Sequence, residues 1–312
     1  MDKRKIIIDC DPGYDDAVAL LLAGGSPALE VLAVTTVAGN QTIEKVTDNA
    51  RHLVTLAGLN VPVSAGATGP LAGGEWETAG HVHGESGLDG VTLSTMTAPL
   101  DTMSADERIV EILMREPAGT VTLVPVGPLT NIARALEREP RIVERVREVV
   151  LMGGAINAGN AGPRSEFNIF TDPEAARAVF RAGWSVTMVG LDLTYQSEIT
   201  PEVISEAVRL DNRAGRVLTQ ILNASNASFH RNGRKGGSPV HDACAVAYVI
   251  EPSLMETVSV PLDVELQGEL TRGMTVADFR RPVADGCLTQ AAVRLDQKRF
   301  WRTLIEAVRN LD

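Results

Sequence analysis

Short apolar runs rich in β-branched residues alternate, over the first 191 residues, with stretches in which apolar residues recur every three or four positions. The runs predict buried strands at 5–8, 30–37, 121–124, 149–152 and 186–191. The amphipathic stretches predict helices at 15–23, 43–57, 105–115, 129–138 and 173–182. This order indicates an α/β fold with a mainly parallel central sheet flanked by helices, Rossmann-like in arrangement. Since ligands of such sheets bind at the carboxyl ends of the strands, we expect the active site there.

Length and composition favour one folding unit. A chain of 312 residues with 44% hydrophobic content can bury a large core. It contains no internal repeat, low-complexity segment or block of like charge, and its glycine-rich loops at 66–74, 155–162 and 233–237 are too short to be domain linkers. We therefore expect a single domain over residues 1–312.

The charge balance narrows the class of partner. A net charge of −11 argues against nucleic acid or an anionic membrane surface, which both need clustered Lys and Arg, and makes a small-molecule substrate the default. The first apolar run, at 6–8, is too short for a signal peptide or a spanning helix. Three cysteines without CxxC spacing are typical of a reducing compartment. We expect a cytoplasmic protein.

Four carboxylates lie within eight residues at the end of the first predicted strand, where residues 9–17 read DCDPGYDDA. An aspartate in the first turn of a helix is an ordinary cap, so Asp15 alone would need no further explanation. Four carboxylates packed this closely repel one another unless a cation or shared protons neutralise them. Oxygen ligands of this kind suit a hard cation such as Ca²⁺ or Mg²⁺. The cluster therefore predicts a metal site.

A second polar feature, His241 followed by Asp242, precedes an apolar run that extends through Val249. Separately, each residue has an ordinary structural role, as a satisfied histidine or a helix cap. Together, a carboxylate can complete a metal site while the imidazole next to it handles a proton near neutral pH.

The segment DCDPGYDDA resembles the N-terminal signature of the nucleoside hydrolases of the inosine–uridine-preferring type. Further blocks resemble those of the family in the same order, so the resemblance runs from residue 6 to about residue 250 and extends towards the C-terminus. These blocks are VAGN at 37–40, HGESGL at 83–88, VGPLTN at 126–131, MGG at 152–154, EFN at 166–168, HD at 241–242 and LTRG at 270–273.

The resemblance implies a Ca²⁺-dependent hydrolysis of the bond between ribose and base, for purine or pyrimidine salvage by a homodimer or homotetramer. It implies carboxylate ligands at Asp11, Asp16 and Asp242, with the backbone carbonyl of Val126 completing the site. Asp11 resembles the general base that activates the attacking water, and Asp9 is expected to support the ligands from behind. His241 resembles the group that protonates the departing base.

The resemblance also implies which residues hold the substrate. Positions matching those that bind the ribose hydroxyls are Asp15, Asn40, Asn160, Glu166 and Asn168, and Met152 matches one that lines the sugar pocket. His83 and Phe167 match residues around the base, and Phe229 is expected to stack on it. Asn160 also stands in an NAGN turn, where Asn is favoured for its backbone conformation alone. The residue types suit the chemistry, because carboxylates stabilise the cation-like sugar formed as the bond breaks.

The base end departs from the branch of the family in which tyrosines on the preceding helix assist the histidine. The corresponding residues here are Ser225 and Phe229, which have no phenol hydroxyl, so the proton relay differs and the preferred base is left open. The glycines and basic residues of segment 225–237 suggest a mobile lid, as a hypothesis from composition.

Two other interpretations are open at this point. An Mg²⁺-dependent phosphohydrolase would also place an aspartate after an apolar strand, but Pro12 and Gly13 supply no hydroxyl and the added carboxylates would repel phosphate. A non-catalytic Ca²⁺- or nucleoside-binding protein explains the ligands but not the joint presence of Asp11 and His241.

Overall fold

Ten strands are found in the part of the chain that the computed structural model describes, which is residues 3–74, 77–93, 95, 98–280 and 282–311. They are β1 (Arg4–Cys10), β2 (Leu29–Thr36), β3 (Val63–Ala65), β4 (Val121–Pro125), β5 (Val146–Met152), β6 (Val186–Val189), β7 (Met255–Ser259), β8 (Leu262–Val264), β9 (Thr275–Ala277) and β10 (Thr289–Leu295). Eight form one sheet in the order β3-β2-β1-β4-β5-β6-β10-β7, and β8 pairs with β9 in a separate hairpin. Only the edge pair β10 and β7 of the large sheet is antiparallel.

The helices cover both faces of this sheet. They are α1 (Tyr14–Gly25), α2 (Ile43–Leu56), α3 (Gly80–His83), α4 (Ala105–Arg115), α5 (Thr130–Arg138), α6 (Phe167–Thr171), α7 (Pro173–Arg181), α8 (Leu191–Thr194), α9 (Pro201–Val208), α10 (Arg213–Arg231), α11 (His241–Ile250) and α12 (Gln297–Arg309). The core on one face joins α1, α2 and α9 to α12, and the core on the other face joins α4, α5 and α7. None of the described helices is long and apolar enough to cross a membrane.

The fold class predicted from the alternating pattern is confirmed. The helix expected at 105–115 coincides with α4, and the other nine predicted elements overlap observed ones with ends that differ by a few residues. The strand expected at 186–191 was too long, because Gly190 caps α8 and Leu191 already belongs to that helix. In a fully buried sheet both a strand and the start of a buried helix read as an apolar run, so periodicity does not separate them.

The strand order creates a crevice at the carboxyl ends of β1 and β4. From β1 the chain proceeds outward through β2 and β3, then returns to the opposite side of β1 with β4. The connections that leave β1 and β4 therefore diverge, and ligands of open parallel sheets bind at such a point. Asp11 follows β1 directly, and Val126 follows β4 directly.

Candidate active site

The turn between β1 and α1 is held by Asp16. One oxygen of its carboxylate, Oδ1, accepts a hydrogen bond from the backbone N–H of Asp11 at 3.0 Å, and Oδ2 accepts one from that of Gly13, also at 3.0 Å. The side-chain amide of Asn40 donates to the same Oδ2 at 3.2 Å. Asp16 thus bonds backward to the N–H of the N-cap residue Gly13 and to that of Asp11 in the turn before its own helix.

The carboxylate of Asp11 lies between two glycines, Gly39 after β2 and Gly127 after β4. A Cβ atom added to Gly39 would stand 2.2 Å from Asp11 Oδ2, and one added to Gly127 would stand 2.6 Å from Oδ1. Oδ2 accepts a 2.7 Å hydrogen bond from the backbone N–H of Asn40, whereas Oδ1 is buried and has no partner among the described residues. A buried carboxylate oxygen without a partner is costly, so this atom is available to a ligand.

Asp15, Asp16 and Asp242 bring their carboxylates together next to Asp11. One oxygen of each lies within 4.8 Å of the others, although Asp242 comes from the start of α11. Burial and the charge of Asp16 raise the pKa of Asp11 well above its usual range. Burial likewise raises the pKa of Asp242 well above its usual range and that of Asp15 to about 8. Buried carboxylates that cannot ionise together fit a hard cation, which would neutralise them.

Asp9 lies behind this cluster and is almost completely buried. Its Oδ1 accepts hydrogen bonds from the hydroxyl of Thr35 at 2.5 Å and from the side-chain amide of Asn131 at 2.8 Å. Burial raises its pKa to about 6, against the effect of those two donors. Asp9 therefore ties β1 to β2 and α5 beneath the site.

Asn168 connects the ends of β4 and β5. Its side-chain amide donates to the backbone carbonyl of Val126 at 2.8 Å and to that of Met152 at 3.1 Å. A carbonyl oxygen has two lone pairs, so that of Val126 keeps one for a further contact.

The loop after β5 is fixed by Glu166, whose carboxylate caps α6. Oε1 accepts from the N–H of Asn168 at 2.9 Å, and Oε2 accepts from those of Gly154 at 2.9 Å and Ile169 at 3.2 Å. Burial raises the pKa of Glu166 to about 7, although these donors lower it. Asn160 accepts from the N–H of Phe167 at 2.9 Å, so part of its role is to shape the loop.

Two neutral imidazoles line the cleft. His83 accepts the backbone N–H of Tyr14 at Nδ1, and its ring packs so closely on Gly13 that a Cβ there would stand 2.3 Å away. Burial lowers the pKa of His83 to about 3 and that of His241 to about 4. His241 Nδ1 lies 2.7 Å from the hydroxyl of Thr194. Near neutral pH both rings are therefore uncharged.

A cleft of about 930 Å³ opens above these groups, and twelve of the fourteen residues predicted from sequence line it. The other two, Asp11 and Asp16, are buried and do not line the cleft themselves. Phe229 and Ser225 of α10 line the same cleft as His241, and the Ser225 hydroxyl donates to that of Ser238 at 2.8 Å. Four residues that shape the site, Gly39, Gly127, Thr194 and Tyr195, were not predicted from the sequence. Only the two glycines carried a signal, since they fall in blocks VAGN and VGPLTN.

Fold and site together define an α/β protein with a polar cleft and, at that cleft, a cluster of carboxylates that could bind a cation. The chain belongs to the inosine-uridine preferring nucleoside hydrolase family, whose model matches residues 6–302. It is 50% identical over 310 residues to the inosine-uridine preferring nucleoside hydrolase of Leishmania major, covering 99% of this chain and 98% of that one. It is 41% identical over 309 residues to the pyrimidine-specific ribonucleoside hydrolase RihB of Escherichia coli, with the same coverage.

The fold of the chain is also similar to that of a solved ribonucleoside hydrolase. The purine-preferring ribonucleoside hydrolase from Gardnerella vaginalis superposes with a TM-score of 0.92 at 31% identity, over 98% of each chain. The predicted family and enzyme class are confirmed: the chain is a nucleoside N-ribohydrolase, which cleaves the N-glycosidic bond of ribonucleosides. The phosphohydrolase and the non-catalytic binding protein are thereby set aside.

Proposed function

We propose that Asp11 is the general base of a Ca²⁺-dependent hydrolysis of ribonucleosides in this cleft. The observation that carries the proposal is the Asp11 carboxylate itself, fully buried beside three other carboxylates, with one oxygen held by Asn40 and the other without a partner. Asp11 receives the proton of the attacking water, and its Oδ1, the oxygen without a protein partner, is the one that would face both the cation and that water.

Asp11, Asp16, Asp242 and the carbonyl oxygen of Val126 would hold the cation. Asp16 and Asp242 are buried, whereas Asp15 is partly exposed towards the cleft, which supports a role for Asp15 at the sugar instead. When bound, Ca²⁺ would neutralise the carboxylates and lower the pKa of water, which provides a nucleophile near neutral pH. A site of oxygen ligands alone favours Ca²⁺ or Mg²⁺ over softer metals.

The ribose is held by Asp15, Asn40, Asn160, Glu166 and Asn168, with Met152 against the ring. These side chains all line the cleft, and several are already fixed by hydrogen bonds with the backbone. Such preorganised groups discriminate strongly, because a substrate without the matching hydroxyl leaves them unpaired. We therefore expect ribonucleosides to be preferred over deoxyribonucleosides.

The nucleobase would lie against His83, Phe167, Phe229 and His241, which all line the cleft. There, His241 acts at the departing base, and Phe229 offers a ring for stacking. The relatives differ in their named preference, which includes inosine and uridine, pyrimidines and purines. Neither Ser225 nor Phe229 carries a phenol hydroxyl that would select one class of base. We therefore expect both purine and pyrimidine ribonucleosides to be accepted, consistent with a role in salvage.

A panel of purine and pyrimidine ribonucleosides, deoxyribonucleosides and 5′-nucleotides, assayed for free base and free ribose, tests this function. We expect ribonucleosides to release both products in equal amounts and the other compounds to react far more slowly. Equal rates for deoxyribonucleosides would contradict the assignment of the hydroxyl-binding residues.

Three further features stay predictions: assembly into a dimer or tetramer, a cytoplasmic location and a single domain over residues 1–312. The last is supported by the large sheet, which combines β1 near the start of the chain with β10 near its end.

A further inference from the structure

Thr194 and His241 are joined by a hydrogen bond that the proposed function does not use. Thr194 ends α8 and is completely buried, and its Oγ1 lies 2.7 Å from His241 Nδ1 at the start of α11. The residues are 47 positions apart in sequence. Two readings of the bond exist, since either atom can be the donor, and they place the ring proton of a neutral imidazole on different nitrogens.

The surroundings of Thr194 select one of these readings. Among the described residues, His241 Nδ1 is the only recorded partner of the Thr194 hydroxyl. If Nδ1 carried the proton and donated it, the hydroxyl hydrogen would be left without an acceptor in a site closed to water, which is costly. If the hydroxyl donates to Nδ1, both groups are satisfied. The proton of the neutral ring then has to be on Nε2.

The rest of the segment 194–197 also holds His241. The ring of Tyr195 packs edge-on against the imidazole, with centroids 5.4 Å apart and planes at 79°. The hydroxyl of Ser197 accepts the backbone N–H of Val240 at 3.1 Å and donates to the carbonyl of Thr194 at 2.6 Å. Thr194 and the residues that follow α8 thus contact both the ring of His241 and the backbone of Val240 just before it.

We propose that Thr194 is a positioning residue that holds His241 as the neutral tautomer with its proton on Nε2, facing the cleft as a hydrogen-bond donor. This inference rests on the proposed role of His241 at the departing base. As the bond between C1′ and the base nitrogen breaks, its electron pair moves onto the base, where the Nε2–H of His241 stabilises the negative charge by a hydrogen bond and keeps its proton, while the departing base takes its proton from water. The other tautomer would present a lone pair there and oppose departure.

Four variants test the proposal. Thr194→Val removes the hydroxyl at nearly constant volume, and Thr194→Ser keeps it. His241→Ala identifies the signals of that ring among the five histidines. Thr219→Val is the matched control, because the Thr219 hydroxyl only donates within α10, to the carbonyl of Gly215 at 2.8 Å. Thermal unfolding of every variant reports whether the fold is intact.

The first measurement is ¹⁵N NMR of protein labelled at histidine, which distinguishes protonated from unprotonated ring nitrogens. We expect Nε2–H for His241 in the wild type, the Thr194→Ser and the Thr219→Val proteins, and a mixture of tautomers in Thr194→Val. A proton on Nδ1 in the wild type, or a spectrum that Thr194→Val leaves unchanged, would overturn the proposal.

The second measurement is kcat for inosine and uridine relative to kcat for p-nitrophenyl riboside, whose phenolate departs without a donor. Thr194→Val keeps the ring but releases its tautomer and its orientation, so it should lower the ratio by roughly 2- to 10-fold, and Thr194→Ser should restore it. A wild-type ratio in Thr194→Val contradicts the positioning role. A wild-type ratio in His241→Ala removes His241 from base departure, while the tautomer spectrum still decides what Thr194 does.

Discussion

The substitution Gly39→Ala is expected to lower kcat because it displaces the carboxylate of Asp11. The new Cβ atom would stand 2.2 Å from Asp11 Oδ2 and 2.9 Å from Cδ of Pro128, whereas real Cβ atoms do not approach other atoms below 3.0 Å. The proline ring blocks movement to one side, so Asp11 has to shift by about 0.8 Å or more. Its hydrogen bond from the N–H of Asn40, at 2.7 Å, is then lost or distorted.

The expected magnitude follows from that displacement. A misplacement of about 1 Å at a reacting group costs roughly 10²-fold in rate, which corresponds to about 2.7 kcal/mol of activation free energy. At Gly127 the same substitution places Cβ 2.6 Å from the other oxygen of Asp11, so the required shift is smaller. We therefore expect kcat to fall in both variants, and further in Gly39→Ala than in Gly127→Ala.

Steady-state kinetics with inosine and uridine, at saturating Ca²⁺, measure this effect. The control is Gly119→Ala, because Gly119 has a φ of 73° and nothing within 4 Å of an added Cβ. That variant should lose roughly 1–2 kcal/mol of stability from the left-handed backbone and keep the wild-type kcat. A kcat for Gly39→Ala within about threefold of wild type would refute the positional requirement on Asp11.

Three further predictions concern the general base Asp11, the cation, and Phe229 as the ring that stacks on the nucleobase. Asp11→Ala should lower kcat by about 10²- to 10⁴-fold with an unchanged circular dichroism spectrum, and wild-type hydrolysis by this variant would remove Asp11 as the base. Excess chelator should abolish activity, and added Ca²⁺ should restore it. Without Ca²⁺ the free energy of unfolding should also depend on pH, because burial raises the pKa of Glu166 to about 7 and that of Asp15 to about 8. The stability that their protonated forms contribute is complete below a pH of about 4 and is lost as the pH rises through about 7 to 8. The gain in melting temperature on adding Ca²⁺ should therefore be larger at pH 8 than at pH 5, and an equal gain would contradict the burial of these carboxyls. Phe229→Ala should raise KM about tenfold for inosine and uridine while thermal unfolding is little changed, because a stacked ring contributes about 1–3 kcal/mol per base; an unchanged KM would place the base elsewhere.

Much of the fold was predictable because it depends on local patterns. The helix at 105–115 has apolar residues at three- and four-residue spacing, at Ala105, Ile109, Ile112 and Leu113, and the observed helix has the predicted bounds. The antiparallel edge strand β7 and the hairpin of β8 and β9 were not predicted, because pairing direction depends on residues distant in sequence. The end of β6 was also predicted wrongly, because the apolar run of the strand continues into α8 without a change of pattern.

The sequence by itself determined that a turn crowded with carboxylates, and with it a candidate cation site, would follow β1, because the four carboxylates of residues 9–17 lie within one short segment and repel one another wherever that segment folds. It did not determine what surrounds them. Gly39 and Gly127 leave room for the Asp11 carboxylate only once β1, β2 and β4 are adjacent, and Asp242 reaches Asp15 and Asp16 only when α11 packs on α1. The bond between Thr194 and His241 likewise joins two helix ends brought together by the sheet. Those contacts are tertiary because hydrogen bonds and close approaches act over a few ångströms, whatever the separation along the chain.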